Sequence, residues 1–129
     1  MGANNPSNLK YTKDHEWAKK ADGRVVVGVT HHAQEALGDV VYVELPKVGA
    51  TVTAGASFGV IESTKAVSEL FAPITGKVTK VNTALSNEPA SVNKDPWAAW
   101  MIEVEPANPA DYDGLLDAVA YDKLLASSK

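Results

Sequence analysis

The feature that most constrains this chain is its punctuation. Glycine and proline recur at intervals too short for long helices, and the stretches between them are rich in valine and threonine. Trp17 to Lys20, then Asp22-Gly23, then Arg24 to Val29 has the form of a β-hairpin. An Asp-Gly pair accepts the positive φ that a tight hairpin turn demands. Val25-Val26-Val27 is a continuous apolar run, as in a buried strand. Further extended segments are expected at 40–45, around Val52, at 57–61, at 70–74 with an interruption at Pro73, at 77–81 and at 100–105. Thr30 can cap a short helix over 31–37, which Gly38 ends. Residues 82–97 read as loop. From Pro109 the pattern is helical, with Leu115, Leu116, Val119, Leu124 and Leu125 as an apolar stripe and Asp111, Asp113, Asp117 and Asp122 on its solvated side. Short strands divided in this way pack as a β-sandwich or flattened barrel, with short helices on its flanks.

Length and charge narrow the function. A chain of 129 residues suits one domain, here expected as residues 10–129 after a flexible, asparagine-rich lead-in at 1–9. The net charge is −4 and Arg24 is the only arginine, so the clustered bases that neutralise a nucleic-acid backbone are missing. With no cysteine, disulfides, thiolate-zinc sites and a thiol nucleophile are excluded, and any thiol–disulfide redox chemistry must come from an attached group. No apolar run reaches membrane-spanning length, and the first ten residues have neither the apolar core of a signal peptide nor the arginines of a transit peptide.

Catalytic constellations are equally absent. His15-Glu16 lacks the second histidine of H-E-x-x-H, and no phosphate loop, nucleotide fingerprint or nucleophile elbow occurs. His31 and His32 are adjacent, so on a helix they diverge, and no metal site is expected. Trp17, Trp97 and Trp100 read as core or loop anchors.

The segment Gly59-Val60-Ile61-Glu62-Ser63-Thr64-Lys65-Ala66-Val67-Ser68-Glu69-Leu70 is ambiguous by itself. No Gly, Asn or Pro beside Lys65 announces a turn, and 65–70 would serve equally as a turn of helix. Its form, E-S-x-K-A with a further acid four residues on, resembles the lipoylation segment of glycine cleavage H-proteins. Gly49, 16 residues before the lysine, and Gly76, 11 after it, match spacings of the wider lipoyl-domain family. The resemblance continues in order through Lys10-Tyr11, His15-Glu16-Trp17, His32-Ala33-Gln34, Leu37-Gly38, Val43-Glu44-Leu45-Pro46, Pro73-Ile74-Thr75-Gly76, Val81-Asn82 and Trp100-Met101-Ile102. It covers roughly residues 10–125.

The resemblance implies a mainly β fold, an antiparallel barrel-sandwich hybrid with short flanking helices and a C-terminal helix, which displays Lys65 at a hairpin tip. It implies covalent lipoate on Lys65, with a tether reaching on the order of 12 Å over about ten bonds. The chain would then be a carrier in glycine catabolism and one-carbon metabolism, not an enzyme. It would take the aminomethyl group of glycine from glycine decarboxylase to aminomethyltransferase and be reoxidised by dihydrolipoyl dehydrogenase, after modification by lipoylating enzymes. Glu62 is implied as a recognition residue for that modification. Asp14, Glu16 and Glu69 match positions that line a cleft protecting the loaded arm, where the family often has a histidine in place of Ala36. A related biotin carrier would flank its lysine with methionines, and here Thr64 and Ala66 do so instead. Two rival readings stand beside this one: a lipoyl relay to 2-oxo-acid dehydrogenases, and an unmodified interaction module. A monomer in the bacterial cytoplasm is expected, with a mature mitochondrial matrix protein as the other possibility.

Overall fold

The computed structural model describes residues 5–127. Strands β1 (Lys10–Tyr11), β2 (Glu16–Ala21) and β3 (Arg24–Val29) open the chain. Asp22 and Gly23, with φ of 52° and 78°, make the expected tight turn between β2 and β3. Helix α1 (His31–Leu37) follows, and Thr30 caps it by accepting the Ala33 N–H. Strands β4 (Val40–Glu44), β5 (Thr51–Val52), β6 (Ser57–Ser63), β7 (Val67–Phe71), β8 (Gly76–Val81) and β9 (Ile102–Pro106) complete two sheets. One has six strands in the order β1-β2-β3-β9-β8-β5, and the other has three in the order β4-β6-β7. Every strand pair is antiparallel. The architecture is the expected one: mainly β, two antiparallel sheets, short helices and a C-terminal helix.

The main core joins both sheets. Val25, Val27, Val78, Ile102 and Val104 of the larger sheet pack in one buried cluster with Val43, Ile61 and Leu70 of the smaller. Burying each such side chain is worth about 1.5–3 kcal/mol. A second cluster of Leu9, Tyr11, Trp17, Ala118 and Tyr121 attaches the C-terminal helix to the β1–β2 end of the larger sheet.

Several expectations need correction. Residues 82–97 are not merely loop: Ala84–Asn87 (α2) and Ser91–Lys94 (α3) are single helical turns, which bury Leu85 and Val92. Four residues are too few to display a helical period, so nothing in the pattern could announce them. The C-terminal region is not one amphipathic helix. It breaks into α4 (Ala110–Asp113) and α5 (Ala118–Ser127). Leu115 and Leu116 fall in the break, Val119 is 64% exposed, and Tyr121 is the buried anchor. Asp117 is no plain solvated acid, because its Oδ1 accepts the Ala120 N–H at 2.8 Å in the first turn of α5. Finally, the strand expected at 100–105 begins at Ile102, and the one expected at 70–74 ends at Phe71. Within the lead-in expected at 1–9, Leu9 is buried and Asn5 donates to Asp122 at 2.6 Å. Residues 1–4 lie outside the described residues.

Candidate functional site

Lys65 lies in the link between β6 and β7, at the tip of a hairpin, and is exposed. The turn closes without glycine because Ser63 supplies its hydrogen bonds. The Ser63 Oγ accepts the N–H groups of Lys65 at 3.3 Å and Ala66 at 3.1 Å, and the Ser63 N–H donates to the Ala66 carbonyl at 2.8 Å. A serine hydroxyl used in this way mimics a backbone turn. The tip is held sideways as well, since the Thr64 N–H donates to the Asp39 carbonyl at 3.0 Å. The Lys65 stem crosses Gly38, whose φ is 84°, and a methyl added there would stand 3.5 Å from Cε. The ambiguity over 65–70 thus resolves to turn and strand, and Ser63 was the local signal for it.

Glu62 pairs across the small sheet with Tyr42 on one side and Val67 on the other. It is partly exposed, on the strand that leads to the tip.

A cavity of about 330 Å³ opens beside the hairpin. One wall is α1, through Ala33, Ala36 and Leu37; another is the segment Asp14-His15-Glu16; the third is β7. The three acids singled out above therefore border one space, but they differ. Asp14 is exposed. Glu69 is exposed too, and its register with Val60, itself opposite Glu44, places it on the outward row of the small sheet. Glu16 is only 2% exposed. Its Oε1 accepts the Thr12 hydroxyl at 2.7 Å, and its Oε2 accepts the Phe71 N–H at 3.1 Å. Burial pushes its carboxyl up to about 7, despite those two hydrogen bonds, which favour the charged form. Ala36 leaves the helical wall apolar at the position that the resemblance matches to a histidine.

His15 is a cavity residue that sequence reasoning missed. Its Nδ1 lies 2.8 Å from the Tyr121 hydroxyl, and its ring packs on His32 at 4.5 Å between centroids. Burial, with the neighbouring His32, lowers its proton affinity, and Asp14 partly opposes this. The residue holds φ at 71°, and no neighbouring residue type marks that conformation in advance. As expected, His31 and His32 diverge: His31 meets Gln34 at 3.2 Å. Among the described residues, no group of three or more His, Cys, Asp or Glu could hold a metal ion. A larger groove of about 370 Å³ lies among Trp17, Trp97 and Trp100, and it shares no lining residue with the cavity at the hairpin.

The Glu16 and His15 shifts have opposite consequences for stability. Glu16 has a raised folded pKa, so its contribution is complete below about 4.5 and is lost as pH rises through about 7. His15 has a lowered folded pKa, so its contribution is present above 6.5 and is lost as pH falls through the folded value. Between pH 4.5 and 7 the melting temperature of the wild type is expected to fall relative to that of Glu16→Gln, which removes the carboxyl titration and leaves that of His15 in both proteins. Thermal melts of both proteins across that range check it; parallel curves would refute it.

The scaffold and hairpin define the class: a small domain of two antiparallel β-sheets that displays Lys65 at an exposed hairpin tip beside a cavity. The model of the family described as glycine cleavage H-protein matches residues 9–128. A glycine cleavage system H protein of Myxococcus xanthus is 64% identical over 129 residues, covering 99% of this chain and 100% of its own. That of Anaeromyxobacter sp. strain K is 58% identical over 117 residues, covering 90% of this chain and 91% of its own. The crystal structure of a glycine cleavage system H protein from Mycobacterium marinum superposes with a TM-score of 0.87 at 45% identity, covering 95% of this chain and 99% of that one. The chain belongs to the glycine cleavage H-protein family, and it is a carrier component of that system.

Proposed function

We propose that Lys65 bears lipoate in amide linkage and that the chain carries the aminomethyl group of glycine from glycine decarboxylase to aminomethyltransferase, dihydrolipoyl dehydrogenase restoring the oxidised arm. The observation that carries this reading is the placement of Lys65: exposed, at a turn fastened by Ser63 and Asp39, and beside a cavity. The residues present fit the group. The amine is open to an acylating enzyme, and 330 Å³ is at the lower end of the range for small-molecule sites. Lipoate supplies a dithiolane whose sulfurs exchange between disulfide and thiol.

The chain's own residues position and protect. The apolar wall of Ala33, Ala36 and Leu37 excludes water from one side of the cavity. Glu16, poised near neutrality, can hold or release a proton there. Asp14 and Glu69 place negative charge at the border, which favours a protonated amine. Glu62 sets the approach of the lipoylating enzymes to the hairpin. The chain supplies no catalytic step, and it works as a soluble cytoplasmic monomer among its partner enzymes.

Intact mass and glycine–CO2 exchange test this together. In a lipoylating host the chain is expected to gain about 188 Da, the formula increment of one lipoyl amide, and then to support exchange with glycine decarboxylase. A lipoylated chain that supports no exchange would point to a relay toward 2-oxo-acid dehydrogenases. A chain that stays unmodified would leave only an interaction module.

A further inference from the structure

Tyr121 stands on α5 and does not line the cavity at the hairpin, yet it is joined to two of that cavity's walls. Its ring is fully buried and stacks on Tyr11, with centroids 4.7 Å apart and planes 8° from parallel. That stack fixes where the hydroxyl points. The hydroxyl lies 2.8 Å from His15 Nδ1 and 2.8 Å from Thr30 Oγ1. A phenol has one hydrogen to donate and lone pairs to accept, so it serves both partners at once.

The two partners belong to different walls. His15 sits in the wall formed by residues 14–16, and Thr30 caps α1 through the N–H of Ala33, which lines the cavity. The Thr30 N–H also donates to the His15 carbonyl at 3.0 Å. His15 keeps a left-handed backbone at φ 71°, a conformation that persists in a non-glycine residue only when its surroundings over-determine it. Backbone bonds on either side of His15 are one such constraint, and the Tyr121 hydroxyl is the other.

We propose that Tyr121 is a positioning residue: its hydroxyl fixes the His15 segment against the start of α1 and so sets the shape of the cavity beside Lys65. The functional part of this rests on the reading of that cavity as a shelter for the lipoyl arm.

The test uses the full chain with Tyr121→Phe, which keeps the stacked ring and removes the oxygen. In the unmodified protein, the nitrogen NMR shift of the His15 imidazole is expected to move, and amide exchange at Ala33 to quicken by about fivefold, the factor that one lost hydrogen bond gives. In the lipoylated, reduced protein, iodoacetamide is expected to alkylate the arm faster than in the wild type. Thr30→Ser keeps a hydroxyl and is expected to preserve all three wild-type values. Should Tyr121→Phe fail to fold, His15→Gly removes the other end of the bond without backbone strain, and the same quickening at Ala33 is expected. Unchanged His15 and Ala33 signals would overturn the proposal. Changed signals, with a wild-type arm alkylated as fast as free dihydrolipoamide, would support the positioning role and overturn the shelter reading instead.

Discussion

Moving the lysine by one residue, as in Lys65→Ala combined with Ala66→Lys, is expected to abolish lipoylation: the gain of about 188 Da disappears completely. The turn is held residue by residue. The Thr64 N–H is tied to Asp39, while the N–H groups of Lys65 and Ala66 share the Ser63 hydroxyl. Each of the three side chains therefore leaves the hairpin in its own direction. A lysine at 66 would start beside the cavity wall that Ala66 lines, rather than over Gly38 as Lys65 does. An acylating enzyme that grips the hairpin through Glu62 and its neighbours would find no amine in its active site. Intact mass of the shifted variant, with Lys65→Arg as the unmodifiable control, checks this. A shifted variant that still gains the mass would show that the enzyme reads a flexible segment, not a displayed side chain.

Gly76→Ala is expected to cost about 3 kcal/mol or more and to lower the melting temperature by roughly 10 °C or more. Gly76 begins β8 and pairs with Val52 on one side and Pro106 on the other. An added Cβ would run into the carbonyl oxygen of Glu105 and stand 2.6 Å from Val104 Cγ1. The carbonyl is backbone and cannot rotate away, so β8 and β9 would have to part. Overpacking alone costs about 1–3 kcal/mol, and each ladder bond lost adds about 1 kcal/mol. Gly23→Ala is the contrast: its φ is 78° but nothing lies within 4 Å of the added atom, so only the backbone penalty of about 1–2 kcal/mol applies. Thermal melts of the two variants check the ranking, and equal losses would refute the steric account.

Gly76 also shows why some of the spacing in the sequence has meaning. The glycine 11 residues after Lys65 is there because a neighbouring strand comes too close for a side chain. The one 16 residues before it, Gly49, has φ 95° in the turn ahead of β5. These are two separate physical demands, and a bare count of residues could not tell them apart.

The sequence by itself determined the elements whose cause is local. The Asp22-Gly23 turn, the Thr30 cap, the Gly38 stop and the valine-rich strands all follow from backbone preference and alternation within a few residues. The ordered motifs from Lys10 to Ile102 likewise carried the family. Tertiary structure decided what depends on contacts between distant segments. Glu16 and Glu69 look alike as letters, but only packing against Thr12 and Phe71 buries the first, while edge-strand register turns the second outward. The bond from His15 to Tyr121 spans 106 residues, and α2, α3 and the break before α5 exist because single apolar side chains there meet the core. Burial and long-range hydrogen bonding are properties of the assembled chain, and no window of neighbouring residues contains them.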